Sequence, residues 1–133
     1  MSPISPETDN DEKFNTKGVE RKIFIPNKSG HDFSDCLRYG TPIYVTKGIV
    51  NRFSVNLIAR EWELAMRESS KDDFILITSL TILTTIGAAL FSHKHGTLNL
   101  LLFLNGRYIA RKLDFLSLLS LSEEENEEDS EED

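Results

Sequence analysis

The densest chemistry in the chain lies in residues 27–32, where Asn27, Ser29, Gly30, His31 and Asp32 follow a short apolar run. A glycine beside a histidine and an acid can present backbone N–H groups, an imidazole and a carboxylate to one ligand. The plainer reading is a tight turn in which Asp32 caps a short helix. Two further clusters carry the same kind of chemistry. Thr46, Lys47 and Gly48 offer a hydroxyl and a cation, or only a strand-to-helix turn. Thr78, Ser79 and Thr81 place hydroxyls at a helix start, where capping would employ one of them. His31 and Asp32 are the candidates for a catalytic proton-transfer pair. The sequence holds no nucleophile elbow, no GxGxxG and no P-loop pattern, so the reaction, if any, stays undefined. His93 and His95 precede Gly96 at i, i+2 spacing, which does not put two ligands on one helix face. They read as cations at a helix C-terminus, where the macrodipole favours them. The lone Cys36 excludes an intramolecular disulfide and reads as a small core residue. Neither a metal nor a cofactor is expected.

Periodicity supplies the elements that would position these groups. Short β-like runs occupy residues 22–25, 42–46, 74–78 and 99–103, the first ended by Pro26. A short helix led by Asp32 or Ser34 would end at Gly40. Residues 50–70 form the clearest helix, with Val55, Ile58, Trp62, Ala65 and Met66 as the buried stripe and Phe53, Leu57 and Leu64 beside it. Arg52 joins the wet face. A third helix spans residues 80–94 and stops at Gly96. Asn105 and Gly106 are the strongest short hairpin signal, returning residues 107–113 antiparallel. Residues 74–91 are uncharged for 18 positions, but their Thr, Ser and Gly content fits a helix lying on a sheet rather than a membrane span.

The order β-α-β-α-β-α-β-β implies an α/β domain: a small Rossmann-like three-layer fold, mostly parallel, with a C-terminal antiparallel edge hairpin. Ligands of such sheets sit beyond the carboxyl ends of the strands, where connections diverge. The segments 27–32, 46–48 and 78–81 meet that condition. His31, Thr46 and Ser79 are therefore expected to line one pocket, with His93 and His95 at the opposite edge of the sheet.

The 133 residues carry a formal net charge of −7, but the sign belongs to the C-terminus. Residues 122–133 hold nine acids and no base, whereas residues 18–121 hold 13 basic and 9 acidic residues, a net +4. Three parts follow: a disordered arm at residues 1–17, a single α/β domain at 18–121 and a disordered acidic tail at 122–133. Residues 113–121, LDFLSLLSL, are apolar enough to dock on the core or anchor a partner. Arg107, Arg111 and Lys112 alternate with Tyr108 on the last strand, a pattern that protects a sheet edge, so no direct nucleic-acid binding is expected. No signal peptide or membrane association is expected either, and a cytoplasmic location follows.

Asn27, Gly30, His31, Asp32, Phe33 and Ser34, with Tyr44, Val45, Thr46 and Gly48, then Ile77 through Thr81, and Lys94, His95, Gly96, Leu98, Asn99 and Leu100, form a pattern that resembles small uncharacterised proteins encoded by tailed phages. The likeness spans about residues 22–112 and carries no activity to transfer. It implies a phage origin and action in the cytoplasm of a bacterial host. The leading expectation is a binding protein for a small phosphate-bearing anion, foremost a nucleotide. An alternative is an interaction factor that occupies a host protein through residues 113–121 and uses the acidic tail as a nucleic-acid mimic. A small hydrolase or transferase using His31 and Asp32 is third.

Overall fold

The computed structural model describes residues 20–78, 80–115 and 117–118. The arm at 1–17 and the tail at 122–133 lie outside them, as does most of the stretch after Phe115. Five strands, β1 (Lys22–Lys28), β2 (Thr41–Lys47), β3 (Phe74–Leu76), β4 (Thr97–Leu104) and β5 (Arg107–Asp114), form one sheet in the order β2-β1-β3-β4-β5. The first four are parallel and β5 returns antiparallel to β4. Among the described residues there are two full α-helices, α1 (Val55–Ala65) and α2 (Thr81–His95), and one 3-10 helix, Ser34–Arg38; Phe115, Ser117 and Leu118 are helical as well.

Strand alternation sorts the core into two layers. Ile23, Ile25, Phe74, Leu76, Leu101 and Ala110 face the 3-10 helix and meet its Cys36 and the preceding Phe33. Phe24, Val45, Ile75 and Leu98 face the other way and meet Ile58, Trp62 and Met66 of α1 and Leu83 and Phe91 of α2. The connection from β1 to β2 therefore crosses one face, and the connection from β2 back over β1 to β3 crosses the other. Opposite directions on opposite faces give both crossovers the same hand. The chain reverses direction at β1, and β1 and β3 flank the point of divergence.

Several boundaries differ from the sequence reading. The first crossover holds a five-residue 3-10 helix, not an α-helix, so α1 and α2 both lie on the other face. Its brevity is offset by side-chain anchoring on β5. Asp35 Oδ2 accepts the Tyr108 N–H at 2.6 Å, while Arg38 and the Tyr39 hydroxyl donate to the Tyr108 carbonyl. These bonds occupy backbone groups of the edge strand. Gly40 ends this segment because a Cβ there would lie 2.3 Å from the Arg21 carbonyl oxygen.

β1 continues through Pro26 to Lys28. β3 stops early, pairing β1 only at Ile23↔Phe74 and Phe24↔Ile75. Pro26 thus sits where β1 has lost one neighbour, a position that tolerates a missing N–H. β4 begins at Thr97, and α1 begins at Val55 rather than residue 50. Phe53, Leu57 and Leu64 are exposed, at 80%, 60% and 46%, and so is Val55, expected in the buried stripe, at 45%, because the sheet and α2 together cover only the Ile58, Trp62 and Met66 stripe. Gly96 closes α2 in the left-handed region at φ 70°, and Asn105 and Gly106 make the hairpin turn at φ 51° and 82°.

The amino edge of the sheet is closed by a buried polar network. Asp73 accepts the Lys22 N–H at 2.9 Å and the Ser70 N–H at 2.8 Å. Asn99 Nδ2 donates to the carbonyls of Lys71 and Asp73. Lys94 Nζ reaches the Met66 carbonyl at 2.7 Å, so the basic end of α2 caps the last turn of α1. No described helix is long and apolar enough to cross a membrane.

Candidate functional site

Because β1, β2 and β3 run parallel, their exits share the carboxyl edge, and a cleft of about 800 Å³ opens there on the helical face. Asn27 from the end of β1, Gly48 after β2 and Thr81 at the start of α2 all line it. Each of the three segments picked from the sequence thus contributes to one hollow. The remaining wall is residues 49–53, of which the sequence reading put 50–53 in a helix, together with residues of the first turn of α2.

The electrostatics of the cleft favour an anion. Among the described residues lining it, Arg52 is the one that carries a charge. Leu80, at the N-cap of α2, gives no side-chain cap, and the first turn of that helix holds no acid. The first N–H groups of a helix have no intrahelical partners, and its dipole makes that end positive. The N-terminus of α1 likewise has neither a side-chain cap bond nor a first-turn acid. Along the carboxyl edge, segments 27–32, 46–53 and 77–83 carry Lys28, Lys47 and Arg52 against Asp32, while Arg107 lies 3.9 Å from the Asp35 carboxylate. Arg52 also stands over the exposed Phe53 ring, 5.4 Å from its centroid, giving the rim a flat aromatic surface beside a cation.

Other residues picked from the sequence have different tasks. The Thr46 hydroxyl lies 2.7 Å from the Pro26 carbonyl and 2.9 Å from Asn27 Oδ1, and shares its proton between them. Asn27 Nδ2 donates to the Gly48 carbonyl at 3.0 Å. Together they tie the exits of β1 and β2 and shape the cleft. Thr46 and Lys47 line an adjoining groove of about 420 Å³ between β2 and α1.

His31 and Asp32 line neither. They border a smaller hollow on the opposite face of the sheet, with Phe33, Cys36 and Tyr44. The expectation of His31 and Thr46 in one pocket fails because the first crossover leaves β1 over the face away from α1 and α2. Asp32 Oδ1 accepts the Ser34 N–H at 2.9 Å, and bonding to Ser34 holds its carboxyl below the usual range. That is a turn-capping role. Ser29 Oγ accepts the His31 N–H at 3.4 Å, a local turn contact, and Gly30 is exposed beside it. Burial pushes the Cys36 thiol up, and Asp35 adds to the shift, opposite to what a reactive thiolate needs.

At the start of α2 the Thr78 hydroxyl accepts the Leu80 N–H at 3.3 Å, from two residues before the N-cap. Ser79 lies outside the described residues. His95 sits at the amino edge, with Nε2 at 2.8 Å from the Ser69 hydroxyl. Burial, then Lys94, hold its pKa below the usual value, with Asp73 opposing. Among the described residues no three His, Cys, Asp or Glu side chains are grouped to hold a metal ion.

The residues that sequence reasoning passed over are Ile49, Asn51, Arg52 and Phe53. The available signal was Ser54, a cap-type residue directly before the Val55, Ile58, Trp62 stripe, which would have started the helix late and left an apolar loop after Gly48. Neither a family model, nor a curated protein, nor a solved structure matches the chain, so its functional reading rests on this geometry.

Proposed function

We propose that the chain is a Rossmann-like binding protein whose carboxyl-edge cleft takes a phosphate-bearing small molecule of the nucleotide class. The carrying observation is the cleft itself, at the point where the β1 and β3 connections diverge, walled by apolar residues and holding Arg52 as its one charge. A phosphate against the first turn of α2 would gain both the backbone N–H groups and the dipole. Arg52 adds a bidentate contact. A base would lie on Phe53, the exposed ring of the rim. The resemblance to phage proteins makes a bacterial host the setting of this binding.

The test is a thermal-shift titration of the full chain with AMP, ADP and inorganic phosphate at millimolar concentration. A ligand that binds only the folded state raises Tm by mass action. The expected result is a rise with ADP that exceeds the rise with phosphate and is lost in Arg52→Ala. No shift with any of the three removes the proposal.

The interaction-factor reading keeps one structural support. Leu113 and Leu118, near the acidic C-terminus, are 38% and 45% exposed. Truncation before Ser122 with unchanged recovery of host partners would take the tail out of that mechanism.

A further inference from the structure

We infer that the groove between β2 and α1 is a second subsite of the same ligand, which is then a nucleoside diphosphate carrying a further hydroxyl-rich group, as in an ADP-sugar. The inference rests on the cleft binding a nucleotide. Its own observation is that the two hollows share the wall formed by Ile49, Val50 and Asn51. A ligand seated in one therefore meets the other across a single stretch of chain. The volumes, about 800 and 420 Å³, suit a larger and a smaller moiety.

The two linings differ in what they accept. Among the described residues the cleft has a cation and no acid. The groove holds Glu61 as well as Lys47, with Ser54 and Asn51 between them and Leu57 and Ile58 as its apolar floor. Glu61 makes no ion pair with a described residue. An ionised carboxylate only accepts hydrogen bonds and repels a phosphate at close range. It is suited to sugar hydroxyls, which donate. Asn51 Oδ1 is engaged by the Phe53 N–H at 3.0 Å, which holds the shared wall in place and leaves the amide NH₂ to donate. Polarity thus orients the ligand, with its diphosphate in the cleft and its sugar across the wall against Glu61. A second phosphate in the groove would face the carboxylate.

Calorimetric titration of the full chain with ADP and with ADP-ribose, at one salt concentration, tests this. ADP-ribose is expected to bind at least tenfold tighter. Glu61→Ala removes the acceptor and Leu57→Trp fills the groove. Both positions are exposed, so both variants should fold, as a thermal melt checks, and each should bring the affinity ratio to within twofold of one. Equal affinities for ADP and ADP-ribose overturn the second subsite and leave the nucleotide cleft standing. A preference that survives both substitutions also overturns it, since the sugar then lies elsewhere. Absence of binding by either compound overturns the subsite and the cleft reading together.

Discussion

Gly87 of α2 packs directly against Trp62 of α1, and adding one methyl there measures how tightly the helical layer is packed. A Cβ on Gly87 would lie 2.3 Å from Trp62 Cζ2 and 2.5 Å from both Cε2 and Cη2. Carbon atoms pack at about 3.5–4 Å, so the indole must retreat by about 1.2 Å or more. Trp62 is fully buried among Phe24, Ile58, Leu83 and Phe91 and has nowhere to retreat. Two opposing effects decide the sign of Gly87→Ala. Alanine is favoured over glycine inside a helix by about 1 kcal/mol. Overpacking a filled core costs about 1–3 kcal/mol, and a contact this short belongs at or beyond the upper end. The expected net loss is about 2 kcal/mol, or about 10 °C in Tm for a domain of this size.

Trp62 is the only tryptophan, so urea unfolding followed by its fluorescence, in parallel with far-UV circular dichroism, reads the same contact twice. A cycle with Trp62→Phe, followed by circular dichroism because that variant lacks the fluorophore, sharpens the test. The smaller ring makes room for the methyl, so the double variant should be more stable than the two single losses added together by at least about 0.5 kcal/mol. Phenylalanine also removes an indole N–H that is buried with no partner among the described residues. If Gly87→Ala equals or exceeds the wild type in stability, helix propensity has won and the account of the layer is wrong.

Other perturbations follow from the same structure. Arg52→Ala should weaken ADP binding by about tenfold or more, the loss of a charge-assisted contact, and flatten its salt dependence in calorimetry. Asp73→Ala should cost about 3 kcal/mol in urea unfolding, because it removes a buried carboxylate that accepts the part-buried N–H groups of Lys22 and Ser70. Unchanged stability would show that the amino-edge network is replaceable. The lowered pKa of His95 means the unfolded chain binds a proton more readily than the folded one. The stability tied to this group is therefore full above about pH 6.5 and falls as pH drops from there toward the folded value. His95→Gln should remove that part of the slope in melts between pH 5 and 7.5 without moving the melting point at the top of the range. Gly40→Ala should lower Tm, since its methyl would press on the Arg21 backbone; an unchanged Tm would mean that the segment can shift.

What could be read from the chain beforehand was what is decided locally. Asn105 and Gly106 accept positive φ, so the hairpin was visible in two letters, and Gly96 stopped α2 for the same reason. The alternation of β-like and helical runs gave the parallel sheet and, through it, the edge that carries the cleft. What stayed hidden depends on contacts distant in sequence. Pro26 could lie inside β1 only because β3 ends early. The hydroxyl of Thr46 was taken by Pro26 and Asn27. His31 and Asp32 fell on the wrong face because nothing in residues 27–32 says over which side of the sheet the chain will leave. Phe53 and Leu57 looked like core because periodicity alone does not show how many neighbours stand around a helix.

The shortness of β3 has a mechanical side. β1 and β2 are zipped along nearly their whole length, and so are β4 and β5, but the strand between the pairs contributes only Phe74–Leu76. The sheet is therefore two stiff plates joined by a narrow seam, and under a pulling force that seam is where it should yield first. The cleft straddles it, with residues 48–53 standing on the β2 side and α2 on the β3 side. A ligand bridging them would act as a rivet, and the force needed to part the two plates would rise with its occupancy.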